Sequence, residues 1–214
     1  NYGQGGPFLM ALVLLSTGTV GWVVPLRSLA RVIGDPKAPR PYMMLARATY
    51  TNLVTLDDAG MIRVSVTAAI RSISMRLAAP IILFVLFGWQ ALAIYWPIMS
   101  LALSTGQDGT SRAFAAVTNF LATLLLFIPT LLIFPVVLVS LFFSAGASFF
   151  RAIPGFFRVT RWPPFLQGGL PLLIVAYAMK LTLGGPRQDR NGAGVMGKWV
   201  GPDKGTAKLE ARDI

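Results

Sequence analysis

Gln90, Asn119 and Lys180 are the side chains that could do chemistry inside the long apolar runs of this 214-residue chain. Proton-coupled transport normally relies on a carboxylate, histidine or lysine within the membrane. Of these only Lys180 lies in a run, close to an end, where its stem can snorkel to the interface. The sequence has no Cys and no His, which excludes thiol nucleophiles, disulfides, Cys/His zinc sites, imidazole haem ligation and His general bases. Asp57 and Asp58 are adjacent, a spacing that suits a helix cap better than a pair of glycosidase carboxylates. A Walker-type phosphate loop is absent, and Gly3, Gly5, Gly6 and the Gly184–Gly185 pair lack a strand-to-helix context. No catalytic residue, metal or cofactor is therefore expected. Gln90 reads as an interhelical hydrogen bond of about 0.6–2 kcal/mol; pigment ligation through Gln90 or Asn119 is the functional alternative.

The elements that would position these groups are membrane helices. The composition is 55 % hydrophobic and 13 % charged. Between 77 and 183 the only acidic residue is Asp108. A water-soluble domain needs a polar face on each element, and this block has none. The expected fold class is all-α: a polytopic helical membrane protein with about four transmembrane helices plus an amphipathic interfacial helix. It divides into a leader and first span (1–26), a basic extramembrane segment (27–76), a transmembrane region (77–183) and a polar tail (184–214).

Residues 8–26 form the first expected span, with Trp22 and Pro25 near its end; Gly18 and Gly21 read as ordinary glycines of a membrane helix. A helix start is expected at 55–58, where Thr55 and Asp58 have capping-box-like spacing. Ile62, Val66, Ala69, Ile70, Ile73 and Leu77 then share one helical face, opposite Arg63, Thr67, Arg71 and Ser74. Such a helix is expected to lie in the headgroup plane or on a partner subunit. Residues 77–103 read as a second span, with Pro80 in its first turn. Residues 113–150 are too long for one span and too short for two, so they either tilt or break at Pro129 and Pro135. Ser140, Ser144 and Ser148 recur every four residues and suggest a helix-packing stripe. Residues 165–183 are the last expected span, and the tail is expected to cross a partner's surface or stay disordered.

The net charge is +11. With no exposed aromatics interleaved among the cations, nucleic acid is not the expected partner. Anionic headgroups are, through Arg63, Arg71, Arg151 and Arg158. The positive-inside rule puts 27–76 and 151–164 on the inner side. That orientation suits a cleaved secretory signal in a bacterial inner membrane. The non-Met start and the excess of Arg over Lys suit a mitochondrial inner membrane, which is slightly favoured.

Ser72 to Leu77 (SISMRL) resembles the stretch around the essential arginine of ATP synthase subunit a. The resemblance implies that Arg76 faces rotor-ring carboxylates. It covers about six residues of the chain. Ala78, Ala79 and Pro80 stand where that family commonly has an Asn, and its later Gln-bearing helix has no counterpart, so no family is assigned. The expected function is a non-catalytic integral-membrane subunit of a large assembly, with other membrane subunits and lipids as partners. The alternative is a channel, transporter or secretion-machinery component, with 113–150 as a pore or re-entrant element.

Overall fold

Residues Asp58–Phe87 form one unbroken helical rod. The computed structural model describes residues 6, 21–31, 34, 43, 45–46, 49, 51–53, 56–104, 112–143, 147–157, 163, 165–185, 187–189, 194–195, 199–202 and 205–206. The rod begins as α1 (Asp58–Ser72), passes through a π-helical turn (Ile73–Ala78) and continues as α2 (Ala79–Phe87). Its start is capped by Asp57, whose carboxylate accepts the Gly60 N–H at 2.8 Å; Thr55 lies outside the described residues. Proline inside a helix removes a donor and crowds the carbonyl four residues back. The π turn accommodates Pro80. Ala79 donates to Ser74, five residues back. The next carbonyl in that register, Met75, would face the nitrogen of Pro80, which carries no hydrogen. The Tyr95 hydroxyl donates to that carbonyl instead.

The chain reverses at Gly88, whose φ of 77° and ψ of −168° lie where only glycine is comfortable. Helix α3 (Trp89–Ser104) doubles back against α2. The expected single span over 77–103 is thus a helical hairpin, because a glycine at 88 lets the chain turn where hydropathy alone runs on. Helix α4 (Arg112–Phe142) is continuous through Pro129 and Pro135. Its 31 residues extend about 46 Å, more than a ~30 Å hydrocarbon core. Helix α5 (Phe149–Phe157) follows. A 3-10 turn (Phe165–Gln167) leads into α6 (Gly169–Ala178).

Helix α6 is the centre of the molecule. Leu172, Leu173 and Ala176 enter a cluster with Leu53, Met61, Ile62 and Val66. On its other side Leu170, Ile174 and Ala178 meet Leu141 and Ala152. A third cluster joins Met75, Leu83, Tyr95 and Met99 to Ala122 and Leu126 of α4. A helix that is apolar all round and packed on both sides is a core helix. Its 10 residues rise about 15 Å, too short to span. The expected last span is therefore corrected to a buried central helix.

Two further expectations change. Among residues 59–80 none is exposed, so the amphipathic segment is covered or half-covered by its own chain. It packs on α6 and the C-terminal strands. The tail also folds back on its own chain. The strand β1 (Thr51–Asn52) pairs antiparallel with β3 (Arg187–Asp189), which pairs with β4 (Gly194–Val195). The strand β2 (Leu183–Gly184) pairs with β5 (Trp199–Val200), and Leu183 and Val200 are buried in the α1–α6 cluster.

The described chain is mostly helical. Two helices are long and apolar enough to cross a membrane, Asp58–Phe87 and Ala113–Phe142. Most of the first expected span, 8–26, lies outside the described residues; its visible end is helical and runs on through Pro25 to Arg31.

Candidate functional site: a cationic cavity beside the π turn

The π turn inserts an extra residue into the helical repeat, rotating every later side chain relative to α1. One result is that Arg71, before the turn, and Arg76, within it, line the same cavity of about 140 Å³. Its far wall is α3, which contributes Tyr95, Trp96, Met99 and Ser100. The helical stretch 21–31 closes it with Gly21 and Pro25. Among the described residues that line it, the charged side chains are Arg71 and Arg76.

Arg76 is held by a long-range contact: its Nη1 donates to the Gly21 carbonyl at 3.0 Å. The approach is so close that a Cβ on residue 21 would lie 2.7 Å from Nη1 and 2.9 Å from Cδ. Gly21 is thus a contact glycine rather than an incidental one, and its partner is a side chain from a distant helix. Ser72 is buried and spends its hydroxyl proton on the Ala69 carbonyl, leaving its oxygen as an acceptor only. Tyr95 spends its proton on Met75 and packs edge-on against Trp96, centroids 5.3 Å apart. Of the other lining donors, the Trp96 indole N–H is buried and has no hydrogen-bond partner among the described residues, and Ser100 is exposed. Such a cavity can bind and orient an anion.

The other sequence-derived candidates are dispersed. Arg63 turns inward: its side chain is 17 % exposed, 3.9 Å from the Asp57 carboxylate, with its Cζ 5.3 Å from the Trp199 ring centroid. That leaves it little reach to a headgroup. Arg151 is exposed on α5 between Phe150 and Pro154. Arg158 and Ser144 lie outside the described residues. The serine stripe needs a helix through 140–148, but α4 ends at Phe142. Ser140 back-bonds to Val137 on α4, whereas Ser148 sits beyond the break and donates its N–H to Ala178. Gln90 is exposed in the first turn after Gly88, at a hairpin tip rather than mid-span. Asn119 is exposed on α4, apart from the cavity.

Sequence reasoning missed Tyr95, Trp96 and Ser100 as partners of the arginines. Only the hairpin at Gly88 brings them there, and the Gly88 signal was hidden inside an apolar run. Comparison of the chain with known proteins returns no match to a family model, a curated protein or a solved structure.

Proposed function

We propose that the chain is a non-catalytic integral-membrane subunit of a multi-subunit complex in an energy-transducing inner membrane, with the mitochondrial one favoured. The observation that carries this reading is the outer surface of α4. Phe120 is 66 % exposed, Leu124 61 %, Val136 64 % and Val139 57 %. These residues follow one another along the helix, and Val85, Phe87 and Ile94 of the hairpin are exposed as well. Soluble monomers rarely present a contiguous apolar surface of this extent. Acyl chains or apolar helices of partner subunits would cover it.

Helix α4 runs unbroken through Pro129 and Pro135, so in the channel or transporter alternative a re-entrant element would begin only after Phe142. Membranes washed at alkaline pH should retain the chain in the pellet. Native electrophoresis in mild detergent, with mass spectrometry of the band, should place it among many subunits. Release by the wash would sink the membrane reading. A band holding this chain alone would sink the subunit reading and leave reconstituted flux as the assay for the transporter alternative.

A further inference from the structure

We propose that α5 is an interfacial anchor, with Phe150, Pro154 and Phe157 seated at the boundary between headgroups and acyl chains and Arg151 against anionic headgroups. Phe150, Pro154 and Phe157 follow at spacings of four and three, which puts them on one helical face. All three are exposed, Phe150 at 80 % and Phe157 at 74 %. Ala152 and Gly155 lie on the opposite side and are buried. Ala152 shares a cluster with Ile174 and Ala178 of α6, and a Cβ on residue 155 would stand 3.2 Å from the Tyr177 ring. Small residues thus seat α5 on the core helix, and that seating commits its bulky aromatics outward. An apolar face with a cation at its flank is the pattern of a helix that rests in a bilayer interface.

Two observations select a lipid surface as the occupant. The first is continuity. Phe142 and Phe143 are 73 % and 80 % exposed where α4 ends, so the aromatic face of α5 prolongs the apolar surface that α4 presents. The second is charge. The sequence has no acidic residue between Asp108 and Asp189, whereas Arg151, Arg158 and Arg161 follow closely on Phe150, a balance that matches anionic headgroups. Helix α4 is longer than a hydrocarbon core, and α5 decides which of its ends stops at the interface. The seating of α5 rests on the membrane reading above and adds to it the element that sets depth.

The test is a depth measurement on the full chain. Because the sequence has no cysteine, Phe150→Cys and Leu124→Cys each accept a single environment-sensitive fluorophore. The probe is a vesicle of phosphatidylcholine and phosphatidylglycerol, doped with lipids that carry a nitroxide quencher high or low on the acyl chain. The label at 150 should lose its emission to the shallow quencher, as expected about 5–10 Å into the interface, and the label at 124 to the deep one. If Phe150→Cys does not fold, Phe157→Cys replaces it. Quenching at 150 by aqueous iodide alone, with 124 still quenched by lipid, would overturn the anchor and leave the membrane reading standing. Quenching of both by iodide alone would overturn the membrane reading and the anchor with it. Equal depth at 150 and 124 would overturn the interfacial seating and make α5 part of a span. In native membranes, benzoylphenylalanine at position 150 should form lipid adducts; adducts to protein alone would overturn the lipid as occupant in favour of a partner subunit. In the mixed vesicles phosphatidylglycerol should be preferred among the adducts, and Arg151→Gln should cut that preference about fivefold, the effect of one cation near an anionic surface. An unchanged preference would overturn the headgroup contact of Arg151.

Discussion

Helices α4 and α6 are equally apolar to the eye, yet they meet opposite surroundings. Along α4 the large side chains Phe120, Leu124, Leu132 and Val139 point away from the protein. Along α6 every residue from Gly169 to Ala178 except Val175 is buried. The difference is set by length and neighbours. Thirty-one residues outrun any core this chain can build, so much of their surface faces outward. Ten residues fit between α1, α4 and α5 and are consumed by them. Hydropathy reports that a segment avoids water. It does not report whether lipid or protein replaces the water.

The largest effect should come from opening the inside of that contrast. Leu173→Ala, at a position with no exposure, should destabilise the protein by about 2–5 kcal/mol, read by unfolding in detergent. A cost below 1 kcal/mol, on the order of a surface change, would break the assignment of α6 as core. A smaller effect belongs to the buried polar join between the two regions. Tyr95→Phe strands the Met75 carbonyl and should cost about 1–3 kcal/mol, measured in the same way. Carbonyl infrared spectroscopy of isotope-labelled Met75 should show a blue shift in that variant. The smallest effect should be Leu124→Ala on the outside of α4, at about 0.5 kcal/mol or less. A photoactivatable side chain at Leu124 should cross-link to lipid or to a partner subunit, and one at Ile174 should cross-link only within the chain. Lipid adducts at both positions would erase the comparison.

The helical character and the apolar run of α4 were legible in the sequence, since unbroken hydropathy is a local signal, but the rod Asp58–Phe87 was not, because it joins the amphipathic segment to half of the expected second span. The site was legible only in fragments. Arg71 stood out as a cation on a helical face, and Arg76 through a six-residue likeness. Neither signal pointed to the other, because their shared orientation depends on the π turn that Pro80 imposes. Helical-wheel reasoning assumes a constant repeat and assigns every residue after such a turn to the wrong face. The tail was misjudged for a different reason. Its strands are only two or three residues long, too short to show alternation. They are held by pairing with each other and with 51–52, a contact at long sequence separation that composition does not encode.

That pairing has a consequence for how the protein is made. Leu53, Val66, Leu173, Leu183 and Val200 share one cluster, so the first half of the core waits for the last part of the chain. At ~5–20 residues per second, synthesis leaves the apolar face of α1 without α6 for on the order of ten seconds. During that interval a bilayer, a chaperone or a partner must shield it. A stop codon shortly before Leu183 would therefore do more than shorten a tail. It would release a product in which α1 meets α6 but Leu183 and Val200 are missing from their shared cluster, and quality control would meet it as a failed fold.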